Sequence, residues 1–257
     1  MAFNGTVKIL NTEQHDHENF SLSVAIPETV KPGQFFNFLA TDSGMPLLRR
    51  PISVSGIEDN VITFTIKVVG KGTQYLANLK SGDEVALTGP LGNGFDLTTT
   101  KKRTLLIGGG IGVAPIKGLG EALRSMDIIV DSVIGFRENP ILEAAFLKFS
   151  TQLTVVSEKN DTYKKGYVTQ YLEQILDENE YDEIYACGPK VMLRAVTDML
   201  NSRGKRAQLL MEEKMACGIG ACLVCTCKLK DGEFGSKMVR MCKEGPMFYS
   251  DEVIFDE

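Results

Sequence analysis

The chain has 257 residues, 43% of them hydrophobic and 24% charged, and carries a net charge of −5. This is the composition of an ordinary globular protein of about two modest domains, and its acidity excludes a general nucleic-acid binder. No run of eighteen apolar residues occurs and Met1–Gly5 has no basic or apolar leader character, so neither a membrane span nor a signal peptide is expected and the protein is placed in the cytoplasm.

The first hundred residues read as β structure. Phe20, Leu22, Val24 and Ile26 alternate with small or polar residues, and Ile62, Phe64, Ile66 and Val68 do the same against Thr63, Thr65 and Lys67. Turn signals at Pro32-Gly33, Ser81-Gly82-Asp83 and Gly89-Pro90 punctuate these runs, which predicts a small antiparallel β-barrel. A short helix is expected within it, Thr73 serving as N-cap and Gln74 to Leu79 following. His15 and His17 are the only histidines; both fall in a polar N-terminal segment and are expected to be solvated. From about Lys101 the pattern changes. Apolar runs at Thr104–Ile107, Ser132–Phe136, Leu153–Val156 and Glu183–Ala186 are interspersed with helical stretches at Ala114–Arg124, Val168–Leu176 and Val191–Asn201. Strands alternating with helices predict a parallel, doubly wound sheet. From Glu212 the chain is rich in cysteine and glycine, with little periodicity.

Five motifs carry chemistry. Arg49-Arg50-Pro51-Ile52-Ser53, between two β segments, sets a bidentate phosphate donor beside a rigid proline and a small hydroxyl, though a solvated basic pair at a strand end has the same look. Gly70-Lys71-Gly72-Thr73 offers backbone N–H groups to an anion at a helix start. Gly108-Gly109-Gly110-Ile111-Gly112-Val113-Ala114-Pro115 follows a strand and opens a helix. That context suits a pyrophosphate, or a plain strand-to-helix turn, and Val113 departs from the usual dinucleotide fingerprint. Cys187-Gly188-Pro189 is expected directly after a strand, where open α/β sheets bind ligands, although buried cysteines are commonly inert.

The cysteines form the fifth motif. Cys217, Cys222 and Cys225 have the plant-type ferredoxin spacing, and Cys242 follows as a fourth thiolate, which points to a [2Fe-2S] cluster. Structural zinc also takes four thiolates, but its sites usually show two close cysteine pairs, where this sequence offers one. Cys227 is left over and reads as a free thiol.

In their order along the chain these motifs resemble the ferredoxin–NADP reductase superfamily. Arg50-Pro51-Ile52-Ser53 resembles its flavin motif, with the arginine on the FAD pyrophosphate and the serine near the isoalloxazine. Lys67, Val68, Val69, Gly72 and Thr73 fall where further FAD contacts are expected. Gly109, Gly110 and Gly112 match its nicotinamide-nucleotide loop, which ends in Ala-Pro, and Cys187-Gly188-Pro189 resembles the segment lining the nicotinamide site. The tail, Glu212 to Cys222 with Met241 to Pro246, is closely similar to the electron-transfer subunits of the B-type dihydroorotate dehydrogenases.

The resemblance covers essentially the whole chain. It implies an FAD-binding barrel at residues 1–99, an NAD-binding α/β domain at 100–211 and a [2Fe-2S] tail at 212–257. It further implies a separate FMN-containing catalytic subunit, in a heterotetramer of two of each, for the orotate-forming step of pyrimidine biosynthesis. Electrons would pass from that subunit through the cluster and FAD to NAD⁺, and this chain would need no general acid or base of its own. A flavin and iron–sulfur subunit of another ferredoxin:NAD(P) reductase or sulfhydrogenase-type complex is the nearer alternative, and a zinc-stabilised binding module the more distant one. NAD over NADP rests on the resemblance, since no acidic residue marks the ribose position and Arg137 would suit a 2′-phosphate.

Overall fold

The computed structural model describes residues 2–41 and 46–255; Met1, residues 42–45 and the last two residues of the expected tail lie outside the described residues. Strands β1 (Phe3–Gln14), β2 (Asn19–Ala25), β3 (Phe35–Phe38), β4 (Arg50–Ser53), β5 (Gly56–Glu58), β6 (Val61–Lys67) and β7 (Glu84–Leu91) form one antiparallel sheet in the order β4-β3-β7-β1-β2-β6-β5. Its two edge strands, β4 and β5, are nearly consecutive in the chain, so the sheet must curl until its edges meet. Directly after β4, the Ser55 amide already donates to the Thr63 carbonyl of β6 at 2.9 Å, so the chain passes from one edge of the sheet to the other within two residues. The long β1 serves both halves: Phe3 to Lys8 pair with β7, and Ile9 to Gln14 pair with β2, with a bulge between Ile9 and Asn11. The period-two runs read from the sequence fill the interior. Phe64 is fully buried and makes edge-to-face contacts with Phe36 and Phe38 at centroid distances of 5.4 and 4.9 Å. Helix α1 (Lys71–Asn78) bridges β6 and β7.

The second sheet runs β11-β10-β9-β8-β12-β13-β16, from β8 (Arg103–Gly109), β9 (Ile129–Phe136), β10 (Gln152–Ser157), β11 (Lys164–Lys165), β12 (Glu183–Cys187), β13 (Gln208–Leu210) and β16 (Met247–Tyr249). All pairings are parallel except the last. Helices α2 (Val113–Ser125) and α3 (Glu143–Phe149) cover one face, and α4 (Thr169–Glu178) and α5 (Lys190–Ser202) the other, each through its buried apolar stripe. The architecture is thus an antiparallel barrel-like sheet followed by a doubly wound α/β sheet, as the sequence predicts. No helix among the described residues is long and apolar enough to cross a membrane.

Several local expectations need correction. Arg50–Ser53 is not a connection between strands but the edge strand β4 itself. Helix α1 begins at Lys71 behind an N-cap at Gly70, so Thr73 is its third residue. Its hydroxyl nevertheless acts on the helix start, accepting from the Val69 and Gly70 amides at 2.9 and 3.2 Å. Cys187 is the last residue of β12 rather than the first after it. His15 is not solvated: its Nε2 lies 2.6 Å from Ser21 Oγ. The tail, apparently without periodicity, makes a three-stranded sheet from β14 (Thr226–Asp231), β15 (Gly235–Arg240) and β17 (Val253–Ile254), and sends β16 back to the nucleotide sheet.

The two sheets meet along α2. A Cβ on Gly118 would stand 2.9 Å from the Ser55 carbonyl carbon and oxygen, so helix and barrel backbone are in direct contact there. Gly118→Val is expected to force them apart and to cost about 1–3 kcal/mol, the usual penalty of overpacking. Calorimetry of the variant should show a lowered Tm together with weakened retention of whatever the cleft binds.

Candidate functional site

The barrel contributes β4 and the start of α1 to one wall of a cleft. The Arg50 side chain lies over Gly72: a Cβ at Gly72 would fall 2.5 Å from Arg50 Nε, so only glycine lets the guanidinium rest on the first turn of α1. Arg50 also donates to the Leu48 carbonyl at 2.7 Å. A guanidinium against a helix N-terminus concentrates N–H donors and positive charge in one place. Ser53 and Pro51 line a smaller cavity of about 120 Å³, facing Met211, Glu212 and Met215. Lys67 pairs with Glu18 at 3.0 Å, and Val69 is exposed.

The opposite wall is the carboxyl end of the parallel sheet. Strand β8 is followed by β9 on one side, while β12 lies on its other side, and this reversal creates a crevice above the two strand ends. Gly109, Gly110 and Gly112 meet Cys187, Gly188 and Pro189 in that crevice. A Cβ on Gly112 would stand 2.6 Å from the Cys187 carbonyl oxygen, so the two loops touch backbone to backbone. Two cavities open from this junction. One, of about 390 Å³, is bounded by both loops with Lys67, Met211 and Glu212. The other, of about 460 Å³, runs outward past Phe136, Arg137, Glu158, Tyr167 and Met192. Cys187 is buried, and burial together with the Glu212 carboxylate holds its thiol well above the ordinary range. It is therefore a neutral wall rather than a nucleophile.

The cysteine loop closes the third side. Burial works to raise the Cys217 thiol, but the Cys222 side chain and the amides of Ile219, Cys222 and Ala221 bring it down to about 6. The Cys222 amide donates to Cys217 Sγ at 3.4 Å. Hairpin β14–β15 explains the sixteen residues between Cys225 and Cys242: Thr226 pairs with Arg240, and the Met241 amide donates to the Cys225 carbonyl at 2.7 Å, so the hairpin returns Cys242 beside Cys225. Burial and a hydrogen bond with Cys225 push the Cys242 thiol up to about 12. Cys217 interacts with Cys222 and Cys225 with Cys242, and Cys217 also acts on the Cys242 thiol, so the two pairs are neighbours; among the described residues no three His, Cys, Asp or Glu side chains converge as a single-ion site. Cys227 sits further down the hairpin opposite Val239, buried, its thiol raised to about 11 chiefly by burial. Arg240 clips the loop by donating to the Gly220 carbonyl at 2.9 Å while pairing with Glu244.

The structure brings these motifs together around one cleft, and residues given no role in the sequence reading line it too. Glu212, Met211 and Met215 belong to the link between β13 and the cysteines, and Glu158 follows β10. Only a position just beyond a strand's carboxyl end could have marked Glu212 and Glu158 in the sequence. Solvent reaches Glu212 through the open cleft, yet the surrounding walls desolvate it and raise its carboxyl above the ordinary value of 4.5. A carboxyl raised on folding costs nothing below its unfolded value and costs most above its folded one. Glu212→Gln should therefore raise the Tm of the cofactor-free chain at pH 7, with the gain shrinking as pH falls through the raised folded value toward about 4.5 and vanishing below it. Thermal unfolding across that range checks this.

Comparison with known proteins gives the site its context. Residues 212–254 match the family model described as the iron–sulfur cluster binding domain of dihydroorotate dehydrogenase B, and residues 143–198 match the oxidoreductase NAD-binding domain. The dihydroorotate dehydrogenase B (NAD(+)) electron transfer subunit of Clostridium acetobutylicum is 41% identical over 93% of this chain and 92% of its own. That of Fusobacterium nucleatum is 38% identical over 89% of this chain and 88% of its own. Among solved structures, a chain of the NADH-dependent reduced ferredoxin-NADP oxidoreductase, a system of flavin-based electron bifurcation, superposes with a TM-score of 0.85 at 25% identity, covering 96% of this chain and 89% of that one. The ferredoxin reductase of carbazole 1,9a-dioxygenase shares the fold at a TM-score of 0.69 and 23% identity, over 79% of this chain and 67% of its own. With relatives this similar over nearly its full length, the chain belongs to the family of dihydroorotate dehydrogenase B electron-transfer subunits.

Proposed function

We infer that this chain carries electrons between a dihydroorotate-oxidising partner and NAD⁺. The observation that supports this best is the pair of thiolate pairs on the wall of a cleft built from flavin-type and nicotinamide-type loops. The donor set fits a [2Fe-2S] cluster, in which each of two irons needs two thiolates, better than zinc, which gathers all four around one ion. Cys217, Cys222, Cys225 and Cys242 would hold it, and backbone amides already turned toward Cys217 would stabilise its negative charge. For FAD, Arg50 and the first turn of α1 would bind the pyrophosphate, with Gly72 leaving the space and Thr73 fixing the turn. Pro51, Ile52 and Ser53, with Lys67, Val68 and Val69, would border the flavin ring. Bound there, FAD and the cluster supply the conversion between hydride transfer and single-electron transfer.

Gly109, Gly110 and Gly112 would take the nicotinamide nucleotide's phosphates at the start of α2, and Cys187-Gly188-Pro189 would border its nicotinamide. The outer cavity would hold the adenosine half. Glu158 there favours an unmodified ribose, accepting from its hydroxyls and repelling a 2′-phosphate, and so opposes the effect of Arg137. No residue of the cleft is assigned as an acid or base toward dihydroorotate; that chemistry would belong to an FMN-containing catalytic subunit, two of which would pair with two of these chains. Ile219, Leu223 and Val224 are exposed around the exposed Cys222, an apolar rim suited to such a partner.

Two outcomes are expected. Cys217→Ala, Cys222→Ala, Cys225→Ala or Cys242→Ala should each lose iron and the visible absorption of the cluster, while Cys227→Ala keeps both; iron retained in Cys225→Ala but lost in Cys227→Ala reverses the ligand set. The isolated chain should oxidise NADH with an artificial acceptor and give no NAD⁺-dependent oxidation of dihydroorotate until the catalytic subunit is added. Turnover before that addition rules out the subunit role, and no gain after it points to a different reductase complex.

A further inference from the structure

Asn37 belongs to none of the motifs, yet it lies where two of them meet. Its neighbours on β3, Phe36 and Phe38, point into the barrel core, so Phe35 and Asn37 share the opposite face. In the β3–β4 register Phe35 pairs with Ser53 and Asn37 with Pro51, which sets the Asn37 side chain beside the strand proposed to border the flavin ring. On its other side is the cysteine loop. A Cβ on Gly218 would fall onto Asn37 Nδ2 and stand 3.1 Å from its Cγ, so the backbone next to Cys217 rests on the carboxamide. Gly218 has φ of 71°, a turn that an L side chain would strain, and the close approach bars one independently. The residue is 2% exposed, and its Oδ1 has no hydrogen-bond partner. An unpartnered buried amide oxygen destabilises the fold, whereas a leucine of similar shape would not. Neither the barrel nor the tail accounts for a polar group at this position. Arg49 steadies the strand by donating to the Asn37 carbonyl at 3.3 Å.

We propose that Asn37 is a positioning residue that ties the cysteine loop to the flavin strands and sets the reduction potential of the cluster held by that loop. The proposal rests on the reading of Cys217, Cys222, Cys225 and Cys242 as cluster ligands. The physical basis is that a carboxamide N–H₂ set against the loop that carries Cys217 stabilises the extra negative charge of the reduced state and raises the potential, as polarity around such sulfurs does generally. The same contact fixes the loop relative to Pro51 and Ser53.

The test uses the full chain with its cluster reconstituted and FAD bound, and reads iron content, the electron paramagnetic resonance spectrum of the reduced cluster, and the midpoints of both centres in one potentiometric titration. Asn37→Ala is expected to shift the cluster midpoint to more negative values and alter its spectrum, leaving the FAD midpoint in place. Asn37→Asp, which puts a carboxylate in the same shape, should shift it further or lose iron. A residue that only packs would lower the Tm and leave the cluster midpoint unmoved. An unchanged or raised midpoint in Asn37→Ala overturns the proposal. Should that variant fail to retain FAD, Asn37→Leu and Asn37→Ser decide: a wild-type midpoint and spectrum in Asn37→Leu overturn the proposal, and a negative shift in Asn37→Leu relieved in Asn37→Ser supports it. Loss of the parent reading is separately visible, because the unsubstituted chain would then bind no iron at all.

Discussion

Backbone pressed against backbone holds the cleft in shape. Where α2 crosses the barrel, Gly118 lies directly on Ser55, and at the crevice Gly112 lies directly on Cys187 and Gly188. Side chains can rotate to accommodate a neighbour; main-chain atoms in contact cannot, so the distance between barrel and nucleotide sheet is fixed to within the thickness of a peptide. Arg50, the glycine loop and the cysteine loop face one another only because of that spacing. Electron exchange between bound groups is steeply sensitive to distance, and a joint without compliant side chains is a physical means of keeping it constant.

The tail completes the frame rather than hanging from it. Its Gly245 carbonyl accepts from the Asn93 amide at 2.7 Å, Asn93 Nδ2 reaches the Glu244 carbonyl at 3.0 Å, and β16 pairs with β13. Barrel, sheet and cysteine hairpin are therefore mutually braced. Cys225, Cys227 and Cys242 share one apolar cluster with residues of α4 and α5, so the thiols are held by the packing of the nucleotide domain as well as by their own loop.

Much of this was legible in the sequence because the informative signals are local. Period-two and strand–helix alternation gave both sheets, and the spacing of Cys217, Cys222 and Cys225 encodes a loop whose geometry depends on its own few residues. What escaped was set by distant pairing. Arg50–Ser53 reads as a connection because Arg50 and Pro51 resemble turn residues; an edge strand tolerates a proline, since its outward N–H has no ladder partner to lose. Thr73 reads as an N-cap because threonine usually caps from outside, whereas here its hydroxyl reaches back from the third helical position. Cys225 and Cys242 are both legible as thiolates, but that they meet as a pair follows only from the β14–β15 hairpin. Asn37 carries no motif, and Glu212, though it opens the tail motif, has no role legible there; the surroundings of both are supplied by segments far away in the chain.

The late position of β16 has a consequence for synthesis. Its three residues, Met247 to Tyr249, cover one side of β13, which otherwise is the border of the nucleotide sheet. While the chain is being made, that border stays open until residues 247–249 have left the ribosome, presenting unpaired N–H and C=O groups to other nascent chains. A shortened product ending before residue 247 would keep Cys217, Cys222, Cys225 and Cys242 and still be prone to associate through the bare strand. Quality control of this protein would then act on β16, whose arrival beside β13 registers as closure of a sheet.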